Sequence, residues 1–369
     1  MRFLPVLIVA TTLPLGAQSV VSEPIGFNKV TCLANSDTIV GVPLRKEGSR
    51  TTKLSGAPTG TGDAITLPVT ATLTAGELTK HYVKFTSGAK DGAWFDITSN
   101  TADSVTIDLN GANVIGATVG DTMVITEYWT LDTLFPPAAA TTNPTTTGHA
   151  IVASLSSSPA GRRTQILLPN NSYLGTNRPS VDFYYIVSGA WVKSGGSATP
   201  PGATILYPDS SFTIRHNASV TASTVFRVSG EVLLTSQTVV LNSRPLTQGY
   251  NDNHVSLLRP VDVSLKDLNL IQSGAFMSST GTSPGARRDQ ILVFNNGVAQ
   301  TNKPADKIYY YINYVDPGLT DKWVLAGDST NASQDDTVIP AGAGIIIRKY
   351  NTSGGVSSYW QNTPSYPSN

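Results

Sequence analysis

The residues best suited by type and repetition to polar recognition are two arginine pairs, Arg162–Arg163 and Arg287–Arg288, each following a Ser-Pro turn and opening an apolar run. A planar guanidinium makes several hydrogen bonds at once, so one member of each pair suits a carboxylate or a set of loop carbonyls. Strand alternation would place the two members on opposite sheet faces. Two readings follow: recognition of an acidic sugar or a partner's carboxylate, or a clamp that locks a strand end. The clamp is preferred, because it explains both copies without any ligand. Arg215 and Arg348, each following an apolar strand, take the same reading.

Aromatic residues recur beside these arginines: Tyr184, Tyr185 and Trp191 in one place, Tyr309, Tyr310, Tyr311 and Trp323 in another. Sugar rings stack on such side chains, so they are candidates for a carbohydrate platform. The simpler expectation has one tyrosine of each pair in the core and the other on a sheet face. Asn170, Asn171 and Asn177, with Asn295, Asn296 and Asn302, read as turn residues, since Asn tolerates left-handed backbone.

Catalytic and metal signals are weak. The four histidines, His81, His149, His216 and His254, are scattered without ligand spacing. No nucleophile elbow, Walker loop or dinucleotide fingerprint is present. Asn251-Asp252-Asn253 and Gln334-Asp335-Asp336 offer oxygens for calcium but fit no defined loop, so solvated turns are preferred there. The expectation is a non-enzymatic protein without a cofactor or resident metal.

The elements that position these residues read as strands. Hydrophobic residues make up 40% of the 369 and charged residues only 14%, well under the roughly 25% of average soluble proteins. Thr, Ser, Asn and Gln must therefore carry the wet faces. The 32 glycines and 23 prolines suit short strands and tight turns. Ser104 to Leu109 alternates most cleanly, with Val105, Ile107 and Leu109 inward. Zero net charge argues against nucleic acid as a partner.

Arg2, the apolar stretch Phe3 to Leu15, and the small residues Gly16 to Ser19 read as a secretory signal peptide cut after Ala17 or Ser19. That stretch is shorter than the roughly 20 residues needed to span a bilayer. Export to the cell surface or the medium is expected, or retention in a periplasm. The sole cysteine, Cys32, lies well beyond the apolar stretch and reads as a buried strand residue.

The most informative feature is an internal repeat. Residues 162–179 align without gaps with residues 287–304, and ten of the eighteen positions are identical. Tyr184-Tyr185, Trp191-Val192 and Phe212–Arg215 find counterparts in Tyr309-Tyr310, Trp323-Val324 and Ile345–Arg348. The expected fold is all-β, with tandem sandwich or small-barrel modules and a duplicated module in the C-terminal half. The expected segments are a signal peptide (1–19), a β domain (20–135) and a Pro/Thr-rich linker (136–148). A first copy (149–245), a connecting segment with the second copy (246–350) and a polar tail (351–369) follow. Within the connecting segment, Leu265 to Ile271 reads as a short helical turn.

Several landmarks together resemble an uncharacterised paralogous family of signal-peptide-bearing proteins from Verrucomicrobia. They are Ser36–Pro43, Thr86–Gly92 leading into Asp96–Asn100, Tyr128–Pro136, and the Arg-Arg-x-Gln-Ile-Leu and Ile-Arg copies. The resemblance implies secretion and a β-rich fold, and no activity, cofactor or site. The leading functional expectation is a structural or surface protein that assembles with itself or with envelope components. The alternative is a carbohydrate-binding or adhesive module using the repeated Tyr, Trp and Arg positions.

Overall fold

The computed structural model describes residues 24–142, 149–171, 173–177, 182–196, 200–313 and 321–364. The signal-peptide reading falls outside them, as do part of the expected linker and the last residues of the expected tail. Short antiparallel strands dominate, and the fold is all-β.

In chain order the strands begin with β1 (Ile25–Cys32) and β2 (Asp37–Val40). Next come β3 (Arg50–Lys53), β4 (Thr59–Thr61), β5 (Ala64–Pro68), β6 (His81–Phe85), β7 (Trp94–Asn100), β8 (Ser104–Asp108) and β9 (Thr122–Glu127). β10 (Trp129–Thr130), β11 (Thr164–Leu168), β12 (Asp182–Val187), β13 (Ala190–Lys193), β14 (Ile205–Leu206), β15 (Phe212–His216) and β16 (Thr224–Glu231) follow. The rest are β17 (Gln237–Leu241), β18 (Asn251–Ser256), β19 (Val263–Ser264), β20 (Gln290–Val293), β21 (Lys307–Ile312), β22 (Lys322–Leu325), β23 (Val338–Ile339), β24 (Gly344–Lys349) and β25 (Ser358–Asn362).

Strands β3 to β9 form one sheet in the order β3-β9-β6-β7-β8-β5-β4. The alternation read in Ser104–Asp108 holds, with Val105 and Ile107 fully buried and Asp108 exposed. The sheet curls until Leu54 and Val69 form a bridge just beyond β3 and β5, with Ser55 N–H donating to the Pro68 carbonyl at 3.0 Å. This makes a small barrel around Leu67, Val83, Phe85, Phe95, Ile107, Met123 and Ile125, with β4 left outside at the end of the sheet.

Two further sheets have the same plan. One runs β13-β12-β11-β15-β2 and the other β22-β21-β20-β24-β18. Their registers coincide across three strands. Gln165 faces Arg215, which faces Asp37, and in the second sheet Gln290 faces Arg348, which faces Asp252. A two-stranded ribbon accompanies each sheet, β1 with β16 in the first and β17 with β25 in the second. A short pair closes each unit, β10 with β14 and β19 with β23, and a single helical turn follows its first strand. Each unit has its own core, around Phe135, Trp191 and Phe226 in the first and Trp323, Ile347 and Trp360 in the second.

The duplication is therefore larger than the 162–179 and 287–304 match, and its first copy is interrupted. Strands β1 and β2 belong to that copy, and the barrel of β3 to β9 is inserted between β2 and β10. In the second copy the corresponding connection between β18 and β19 is a short loop. Residues 20–135 are thus shared between the first copy and the barrel. The linker reading differs from the structure at its start. Phe135 is fully buried, and Thr141 exchanges backbone hydrogen bonds of 3.1 and 3.0 Å with Ile151 and Ala153. Ala140 packs against the first core there, while Ala138 and Ala139 are exposed.

Strand β17, expected in the first copy, pairs with β25 and so belongs to the second. Residues 351–369, expected as a polar tail, contain β25, whose Trp360 is fully buried and donates its indole N–H to the Leu268 carbonyl at 2.6 Å. Alternation explains the misreading, because Tyr359 and Gln361 face solvent and leave one apolar residue to mark the strand. Cys32 is a buried strand residue as expected, and burial pushes its thiol pKa up to about 11.

Candidate functional site

The strand-end arginines Arg215 and Arg348 build the most organised polar site in the molecule. Arg215 donates through Nε and Nη2 to the two carboxylate oxygens of Asp37, both at 2.6 Å. Arg348 does the same to Asp252, at 2.7 and 3.0 Å. Such forked pairing fixes geometry as well as charge. Each pair then reaches into the opposite copy. Asn302 of the second copy donates its backbone N–H to Asp37 at 2.8 Å, and its side-chain oxygen accepts from Arg215 at 2.7 Å. Asn177 of the first copy serves Asp252 and Arg348 in the same way, at 2.8 and 3.0 Å. Both asparagines hold positive φ, 51° in each case, as their turn reading required.

The reciprocity extends along both β2 and β18. Asn296 brackets the backbone of Ile39, and Asn171 brackets His254, each with one bond accepted and one donated at 2.9 to 3.0 Å. Asp37 N–H donates to the Gln300 carbonyl and Asp252 N–H to that of Gly175, at 2.9 and 2.8 Å. Each of these contacts made by one copy is returned by the other, as at a two-fold interface between identical subunits. Gly41 and Ser256, which hold matching positions, meet at the centre. A Cβ on Gly41 would stand 2.0 Å from the Ser256 hydroxyl, so only glycine fits.

In the first copy the paired arginines take loop carbonyls, one of the two targets expected for them, with Arg162 Nε donating to the Ser157 carbonyl at 3.2 Å. Arg162 and Arg287 lie over the rings of Tyr185 and Tyr310, at 4.7 and 4.9 Å. Arg163 donates to the Thr142 carbonyl at 2.6 Å, and Arg288 lies 4.4 Å over Tyr350. The arginines follow a 3-10 turn just ahead of β11 and β20, so strict strand alternation does not govern them. The aromatics do not form an exposed platform, because Tyr184, Trp191, Tyr309 and Trp323 are all buried. The oxygens considered for calcium are also engaged. Asn251, Asp252 and Asn253 form buried strand β18 and not a solvated turn. Asp335 accepts from Trp323 N–H at 2.9 Å, and Asp336 pairs with Lys266 at 2.5 Å. Among the described residues no group of three or more His, Cys, Asp or Glu side chains is placed to hold a metal.

One difference between the copies lies just inside the clamps. Lys349, after Arg348, is buried in an ion pair with Asp289, whose carboxyl pKa burial raises against the pull of that lysine. His216, after Arg215, is fully buried between Thr164 and Thr224 hydroxyls at 2.9 and 2.8 Å. Burial pushes its pKa down to about 4. An unfolded histidine titrates near 6.5, so between these values the unfolded chain binds the extra proton. Stability from His216 is complete above the unfolded value and is lost as pH falls toward 4. His216→Asn is expected to remove this acid slope, about 3 kcal/mol across the window. Urea unfolding of wild type and variant at pH 7 and pH 4.5 measures the difference. Parallel slopes would refute it.

No protein-family description, curated protein or solved structure matches this chain. Its functional reading therefore rests on its own residues. Among the described residues, no helix is long and apolar enough to cross a membrane.

Proposed function

We propose that the chain is an exported, non-enzymatic scaffold protein that assembles with itself or with components of the cell envelope. One observation carries this reading: the positions kept in both copies build the copies' own cores and the contacts between the copies. Arg215 and Arg348 meet Asp37 and Asp252, the repeated asparagines bridge the copies, and the repeated Tyr and Trp residues fill the two cores. Duplication here preserved a frame. Export rests on the apolar, signal-like N-terminal stretch.

The low charge and hydroxyl-rich strands leave a surface suited to packing against a neighbour. The outermost strand of the barrel, β4, is exposed along its whole length and ends its sheet, so it offers a backbone edge for strand addition. Light scattering and electron microscopy of the protein lacking residues 1–19 are expected to show concentration-dependent assemblies. A strict monomer at high concentration in every salt condition would refute self-assembly, and retention of the full-length protein in the cytoplasm would refute export.

A further inference from the structure

An open groove of about 600 Å³ lies beside the first clamp, where the Arg162 turn, the end of β15 and the Asn302 turn of the second copy converge. We propose that this groove binds an acidic saccharide of one or two rings, through a carboxylate held by Arg162. The proposal is independent of assembly, since a monomer would bind equally well.

Comparison of the two copies shows why the groove exists. Asn35 precedes Asp37 by two residues, as Tyr250 precedes Asp252, and Asn217 follows Arg215 as Tyr350 follows Arg348. In the second copy the two tyrosine rings pack edge to face at 5.3 Å, with Arg288 over one of them. The Tyr250 hydroxyl donates to the Arg287 carbonyl at 3.2 Å, and in the first copy Asn217 Nδ2 donates to the matching Arg162 carbonyl at 3.1 Å. An aromatic plug in one copy is thus an amide-lined hollow in the other. The volume falls in the range of small-molecule sites, roughly 300–1,000 Å³.

The chemistry of the lining selects the ligand class. Arg162 uses Nε on the Ser157 carbonyl at 3.2 Å and its face on Tyr185, while its two terminal nitrogens carry no hydrogen bond among the described residues. Arg215 is neutralised by Asp37, and no Asp or Glu lines the groove. An uncompensated guanidinium therefore faces an otherwise neutral wall. Its fork matches a planar carboxylate. With Asn217 Nδ2 and Asn302 Oδ1 already engaged, Asn217 Oδ1, Asn302 Nδ2, the Asn35 amide and the Ser219 hydroxyl are left to match sugar hydroxyls, which need both donors and acceptors.

Calorimetric titration of the full chain with digalacturonic acid tests the proposal, with galactobiose as the neutral control. Wild type is expected to bind the acid at least about tenfold more tightly than the neutral sugar, the value of one charge-assisted bond. R162Q should abolish that preference, and N217Y, which places the Tyr350 ring of the second copy's plug in the groove, should abolish binding. R287Q, at the plugged position, should change nothing. Thermal melts establish that each variant is folded. Absence of binding by wild type, equal affinity for both sugars, or binding unchanged in R162Q and N217Y would each overturn it.

Discussion

Asp252→Ala is expected to lower the unfolding free energy by about 3–5 kcal/mol, the cost of removing one partner from a buried ion pair. The Asp252 side chain is 1% exposed, and its loss strands both the Arg348 guanidinium and the Asn177 N–H. Arg348 keeps some solvent contact at 16% exposure, which favours the lower end of that range. Asp37→Ala should cost a similar amount, because Arg215 and Asn302 depend on it in the same way. Asp336→Ala removes an exposed pair with Lys266 and should cost under about 1 kcal/mol. Urea denaturation of the three variants measures the contrast. The clamps join two separate cores, so losing either should also split one cooperative transition into two. Equal costs for Asp252→Ala and Asp336→Ala would show that the clamps do not hold the copies.

Trp360→Ala is expected to cost about 3–5 kcal/mol, as large-to-small changes at buried aromatics do. The ring is fully enclosed among residues of the second core, and its loss also takes the indole N–H donor from the Leu268 carbonyl. A chain ending at Tyr350 should lose more, since β17 would lose its strand partner and Arg259 the Asn362 carboxamide oxygen that accepts its Nη2 hydrogen bond. Such a chain should be insoluble or unfolded by circular dichroism. A truncated protein with the full-length melting temperature would refute the place given to β25.

Much of the fold was legible because its signals are local. The alternation of Ser104–Asp108 needs only a strand with one wet face. The gap-free match between residues 162–179 and 287–304 needs only the two segments. The full extent of the duplication was not legible. Asp37-Thr38-Ile39-Val40 shares only Asp and Val with Asp252-Asn253-His254-Val255, and the barrel inserted after β2 changes the spacing between equivalent residues.

For the site, the strand-end arginines could be singled out but not their carboxylates. Arg215 and Asp37 are 178 positions apart, and their pairing comes from strand register, which a single sequence does not encode locally. The asparagines were read correctly as turn formers and incompletely otherwise. Their left-handed backbone is a local property, whereas the bridge to the other copy appears only once both copies face each other. The groove beside Arg162 was invisible for the same reason, since two substituted positions far apart in sequence create it.

The barrel departs from the first copy just after Arg45 and returns just before Trp129, and Lys46 and Glu127 tie those two crossings together at 2.5 Å. The barrel is also docked on the doubled frame: buried Lys84 donates to the Ser236 carbonyl and Trp94 Nε1 to the Thr238 carbonyl, both at 3.1 Å, and Thr238 N–H donates to the Gly92 carbonyl at 2.9 Å. The frame carries a second such socket, left vacant, at Pro260 to Asp262. A foreign domain with closely spaced ends should be tolerated there, giving a carrier that displays two different loads from one rigid body.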